Sequence, residues 1–244
     1  MKRFVGITAA VAALMGTQAD AATIDLVTVS GTWQNPTGGL HVNGEGTAHM
    51  SWGTGPVQSG YRFLPAAPPV VEAIGPNVDF TLGLFQHFNY FIGIGTGIDA
   101  VELLVNFTLA IPGGGGLHSF AALFNVDHWE TPNRDEPCGN GEANRQGVNI
   151  NGCADRVRIT TSYAGSEFVT VGDDRYYLTI TGFGIGADKE FWTVEQATNS
   201  AELRARFVHE RDIAPPPAPI PLPAAGLLLL AGLGGLGLLR RRSA

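Results

Sequence analysis

Asp127, His128, Glu130, Asn133, Asp135 and Glu136 fall within ten residues, and Asp155 follows Cys153 closely. Hard oxygen donors gathered by a folded loop are the ligands that Ca²⁺ takes. Asp127, Glu130 and Asp155 are the expected metal ligands, holding a structural Ca²⁺, and no other cofactor is expected. The spacing departs from the EF-hand pattern, so a solvated acidic loop is the alternative. His87 and Asn89 stand two apart and share one face of a strand. An imidazole and an amide so placed bind each other, neighbouring backbone or a ligand. Trp33, Trp52, Trp129 and Trp192 stack on sugars where they are exposed and pack in a core where they are not. Glu195, Gln196 and Asn199 follow Trp192 and are candidates for the same surface.

Catalytic motifs are missing from this inventory. The chain has no Gly-x-Ser-x-Gly, His-Glu-x-x-His, Cys-x-x-Cys or phosphate-binding Gly-Lys-Ser/Thr sequence. The glycine run Gly113 to Gly116 opens no helix and reads as a loop. Glycan hydrolysis needs two placed carboxylates, and Asp127 with Glu130 or Asp155 is the one pair to consider. No catalytic residue is assigned, and the chain is not expected to be an enzyme.

The elements that must position these residues are strands. Val101, Leu103, Val105, Phe107, Leu109 and Ile111 alternate with Glu102, Leu104, Asn106, Thr108 and Ala110, the pattern of a half-buried strand. Asn77 to Leu84 places Val78, Phe80, Leu82 and Leu84 on one side, and Ile24, Leu26 and Thr28 share a face. Further strands are expected at 49–54, 59–63, 119–129, 156–162, 167–171, 176–181 and 204–208. Val171-Gly-Asp-Asp-Arg175 reads as a hairpin turn. Ser200 to Arg206 has some helical character, which Phe207 and Val208 pull back toward strand. With 33 Gly and 15 Pro, the class is all-β, as a two-sheet β-sandwich or jelly roll.

Lys2 and Arg3 precede an apolar run from Phe4 to Met15, and Ala19-Asp20-Ala21 fits a small-x-small cleavage site. This is the pattern of a secretory signal peptide over 1–21. At the other end, Ala224 to Leu239 holds sixteen residues without a polar side chain, about 24 Å of helix against a hydrocarbon core of about 30 Å. Arg240, Arg241 and Arg242 should stay cytoplasmic. The expected division is signal peptide 1–21, β-sandwich body 22–212, Pro-rich linker 213–223 and a single hydrophobic helix with its Arg cluster at 224–244. Without Lys2, Arg3, Asp20 and the three arginines, the body holds 10 basic against 21 acidic residues, a net charge of −11. An acidic body does not seek nucleic acid or anionic lipid. In an exported chain, Cys138 and Cys153 are expected to pair. The Gly/Asn-rich loop that they close would otherwise be floppy, and closure stabilises by about 3 kcal/mol in the chain-entropy picture.

Pro221, Leu222, Pro223 and Ala224, the Gly/Leu-rich run and the closing Arg240, Arg241 and Arg242 resemble the C-terminal sorting signal of bacterial PEP-CTERM proteins. The likeness is to the variant called VPLPA-CTERM, with Ile220 where that variant has Val. The resemblance implies transit through the inner membrane, processing by an exosortase and delivery to the cell surface or the exopolysaccharide matrix of a biofilm. Phe85-Gln-His-Phe-Asn-Tyr-Phe91 resembles the Thr-His-x-Asn motif of a family of such proteins: Gln86 stands in place of Thr, while His87 and Asn89 are kept. Trp52-Gly-Thr-Gly, Gln58 to Phe63, Glu130 to Asn133 with Cys138, and Gly152 to Asp155 extend the likeness discontinuously over roughly 30–205. The family supplies no catalytic residues to carry over. The expectation is an exported surface or matrix protein whose body is a structural or glycan-binding module, with extracellular polysaccharide as a partner. The alternatives are a matrix-acting glycan hydrolase or lyase and a permanently anchored envelope protein.

Overall fold

Period-two alternation makes strands because successive side chains leave opposite faces of an extended chain. The computed structural model describes residues 24–67, 71–111, 116–184 and 189–213. The expected signal peptide and C-terminal segment lie outside the described residues, as do 112–115 of the glycine loop and 214–223 of the linker. Among the described residues there are twelve strands and no α-helix, and no helix is long and apolar enough to cross a membrane.

The strands are β1 (Ile24–Gly38), β2 (His49–Trp52), β3 (Ser59–Pro65), β4 (Val71–Ile74), β5 (Phe80–Asn89), β6 (Ile98–Ala110), β7 (Leu117–Trp129), β8 (Asp155–Ser162), β9 (Phe168–Val171), β10 (Asp174–Phe183), β11 (Glu190–Thr193) and β12 (Ala197–His209). They form two six-stranded sheets, ordered β11-β8-β7-β6-β1-β4 and β2-β3-β5-β12-β10-β9. The pairings are antiparallel. The fold is all-β, and its two sheets are consistent with a sandwich. The Ser200–Arg206 stretch is fully extended within β12. Gly172 turns the β9–β10 hairpin with φ 62°.

β6 is the central rod of the first sheet. Its Val101, Leu103, Val105, Phe107 and Leu109 are all buried, as their alternation requires. Rings from the other sheet meet this layer: Phe107 lies 6.1 Å from Phe207, and Trp33 of β1 lies 6.0 Å from Phe85. Each such side chain taken from water contributes about 1.5–3 kcal/mol.

Of the β-bulges that change which residues face this core, two stand in β1 and β5. In β1 the pairing with β6 slips between Leu26 and Thr28. Val29 is therefore buried and Thr28 exposed, contrary to a strict alternation from Ile24. In β5 the pairing with β12 slips between Thr81 and Gly83, leaving Leu82 as the extra residue. Phe80, Leu82 and Phe85 are buried, Leu84 turns partly outward and Val78 is exposed. An extra residue inverts every later side chain of a strand. Beyond the bulge, Phe85, His87 and Asn89 point inward.

Candidate functional site

The inward end of β5 faces a buried polar cluster. His87, Asn89, His128, Asp155, Thr193 and Glu195 are each less than a tenth exposed, and Tyr61 and Trp52 wall them in. The residues come from β5, β7, β8, β11 and the segment after β11, so both sheets contribute. His128 follows the inward parity of Val126, and Asp155 opens β8 on the side of Val157 and Ile159. Phe191, Thr193 and Glu195 keep a two-residue period that carries Glu195 inside.

The hydrogen bonds determine several protons. Thr193 Oγ1 donates to Asp155 O at 3.1 Å, so it accepts from His87 Nδ1–H at 2.9 Å. His87 Nε2 is then a bare lone pair, buried without a partner. Burial and the neighbouring His128 push the His87 pKa well down and keep the ring neutral. Asn89 Nδ2 donates to Thr193 O at 3.1 Å. His128 Nδ1 meets the Tyr61 hydroxyl at 2.6 Å, and its Nε2 lies 3.3 Å from Glu130 Oε2. Asp155 Oδ1 accepts from the Thr131 amide at 2.7 Å. Asn133 donates from Nδ2 to Glu195 Oε1 at 3.3 Å.

Three carboxyls crowd together here. Burial, then the charges of Glu130 and Glu195, push Asp155 well above the ordinary carboxyl range. Burial, then the charge of Glu130, pushes Glu195 up to about 7. Asp155 and Glu195 lie close enough for the Glu195 charge to oppose ionisation of Asp155. Burial first, then the Asp155, Glu130 and Asp127 charges, also raises the Tyr61 pKa and keeps its phenol neutral. Asn89 Oδ1, Asp155 Oδ2 and Glu195 Oε2 are buried with no hydrogen-bond partner within the protein.

The arrangement differs in part from the expected acidic site. Glu130 and Asp155 come together, but Asp127 lies on the exposed face of β7, and His128 takes its place. His128, Glu130 and Asp155 offer ligand atoms that all lie within 4.8 Å of one another. Parity explains the exchange, because Asp127 and His128 are adjacent on a strand and face opposite ways. For the same reason Asp127 does not face Asp155 as a hydrolytic pair. Glu136 is also elsewhere, where it accepts from the Asn144 amide at 3.2 Å. Of the motif residues, His87 and Asn89 are internal, while Gln86 faces outward and donates to Ser200 Oγ at 3.2 Å. Glu195, a candidate for the Trp192 surface, is instead fully buried. The Phe-x-Thr-x-Glu alternation was its signal.

Cys138 and Cys153 form the expected disulfide, with Cα atoms 5.2 Å apart. The loop between them is not floppy in its own right. Asn149 is fully buried, exchanges hydrogen bonds with Asn140 at 3.1 and 3.3 Å, and accepts from the Ala154 amide at 2.9 Å. Asn144 holds the carbonyls of Asn133 and Asp135, both at 3.0 Å. Gly152 has φ +133°, and a Cβ there would sit 2.6 Å from the Asn133 amide. Asn151 Nδ2 donates to Glu195 O at 2.9 Å, which ties the loop to one end of the cluster.

The tryptophans divide cleanly. Trp33 and Trp52 are fully buried, whereas Trp129 is 40% exposed and Trp192 is half-buried. Register aligns Trp192 of β11, Arg156 of β8 and Trp129 of β7 in one row on the outer face. The two indoles lie 6.1 Å apart, and the Arg156 guanidinium sits 5.1 Å from the Trp129 ring centre. The next row on that face is Glu190, Arg158 and Asp127. No family model matches the chain, and no curated protein matches it.

Proposed function

We propose that this chain is an exported surface or extracellular-matrix protein whose β-sandwich body binds extracellular polysaccharide without catalysis. The observation that supports binding is the Trp192–Arg156–Trp129 row on the open face of the first sheet. Flat aromatic faces take the apolar faces of sugar rings, and the flanking Glu190, Arg158 and Asp127 supply polar groups for hydroxyls. The body's net charge of −11 favours neutral over acidic glycans. Export rests on the sequence patterns at both ends and on the paired cysteines, which suit an oxidising compartment. The tail's likeness to the PEP-CTERM signal supports processing by an exosortase-type enzyme during transit through the inner membrane.

The test is retention of the purified body on neutral polysaccharide resins. Trp129→Ala and Trp192→Ala should each lower retention several-fold, up to about tenfold, at the ~0.5–1.5 kcal/mol scale of a lost stacking contact. An unchanged elution of both variants would remove the glycan reading and leave a structural role.

A further inference from the structure

Glycan binding on the outer face leaves the buried cluster without a role. That cluster holds three carboxyls, those of Glu130, Asp155 and Glu195, and no Lys or Arg is ion-paired with any of them among the described residues. Burying carboxylates without counter-charge is unfavourable, so such groups bind protons or cations.

We propose that His128 Nε2, Glu130 and Asp155 form a site for one divalent transition ion of the Zn²⁺ class. The three ligand atoms lie within 4.8 Å of one another. His128 Nε2 and Glu130 Oε2, at 3.3 Å, already stand at the edge length of a tetrahedron with ligand distances of about 2.0–2.1 Å. Asp155 is anchored through Oδ1 by the Thr131 amide, while its fully buried Oδ2 has no partner within the protein. Fully buried Glu195, whose Oε2 also lacks a partner, contacts Asp155 and stands next to the trio. Two carboxylates and a neutral imidazole carry a charge of −2, which a divalent ion cancels.

The donor set selects the metal. Imidazole suits Zn²⁺, whereas Ca²⁺ takes six to eight oxygens. This assignment therefore replaces the all-oxygen Ca²⁺ site expected at Asp127, Glu130 and Asp155. With an ion on Nε2, His128 would keep its proton on Nδ1 and donate it to the Tyr61 hydroxyl 2.6 Å away. Glu130 has a side chain 26% exposed and gives the ion its way in.

The experiment uses the exported body, treated with chelator and then loaded with Zn²⁺, Ca²⁺ or Mg²⁺ alone. One retained Zn²⁺ per chain, a melting temperature raised by roughly 5 °C and an X-ray absorption spectrum with a single imidazole ligand are expected. Glu130→Gln and Asp155→Asn should keep the strand-rich circular dichroism and lose both the retained ion and the shift. Because Glu130 is partly exposed, E130Q remains informative if D155N fails to fold. Zn²⁺ retained undiminished by folded E130Q would come from other histidines and would overturn the proposal. So would a wild-type body that retains no Zn²⁺, or one stabilised only by Ca²⁺. None of these outcomes bears on glycan retention, so the two readings fail separately.

Discussion

Glu195 shows how much a single parity decides. On the surface it would be an ordinary carboxylate; inside, beside Asp155 and Glu130, it is pushed up to about 7. The sign of the consequence follows from proton counts. Between the ordinary value of 4.5 and about 7 the folded state binds more protons at Glu195 than the unfolded state does, so stability falls as pH rises through that window. Metal-free wild type should lose on the order of 2 kcal/mol from this group between pH 5 and pH 8. Glu195→Gln should lose correspondingly less, as read from urea midpoints at the two values. His87 works in the opposite sense. Its lowered pKa costs stability as pH falls below the ordinary 6.5, but this slope is common to both proteins and cancels in the comparison. Equal pH dependence in wild type and E195Q would place Glu195 in water.

At the scale of elements, the β5 bulge is the device that builds the cluster. Without Leu82 as the extra residue, the parity of Phe80 would carry inward to Gln86 and Phe88, and His87 would face solvent. The bulge is held by close backbone approach at Gly83. A Cβ there would lie 2.5 Å from Leu64 O and 2.8 Å from the Phe63 ring. Gly83→Ala should therefore destabilise by about 1–3 kcal/mol, seen as a lower melting temperature together with altered near-ultraviolet dichroism from the aromatic core. A G83A protein with wild-type stability would mean that β3 and β5 are not so closely apposed. The disulfide loop is a second such element. A Gly/Asn-rich composition suggests a floppy loop, yet Asn149 and Asn144 satisfy the backbone of a segment that has no sheet to pair with.

At the scale of the whole molecule, the two sheets divide the work. Their facing sides bury an aromatic and aliphatic layer with the polar cluster at one end, and the outer side of the first sheet carries the tryptophan row. The proposed route of export rests on the sequence of the chain ends. C-terminal peptide mapping of protein recovered from the cell surface and medium should find chains ending between about Pro221 and Ala225 if the tail is a sorting signal. Peptides reaching Arg240 in the membrane fraction would instead identify a permanent anchor and direct attention to envelope partners.

Alternation along Val101–Ile111, 156–162 and 176–181 made the all-β class legible in the sequence, and the Cys138–Cys153 bond was expected from two cysteines in a chain whose ends resemble export signals. Both are local properties, readable from period and composition. The tertiary structure alone decided which face of each strand turns inward after a bulge. Bulges are set by how one strand pairs with another, and no single-strand pattern contains that information. The same reason explains the site. Glu130 and Asp155 were legible as neighbours through the loop between them. His128 displaced Asp127, and Glu195 joined the cluster, because packing of two sheets brought β5, β7, β8 and the end of β11 to one point.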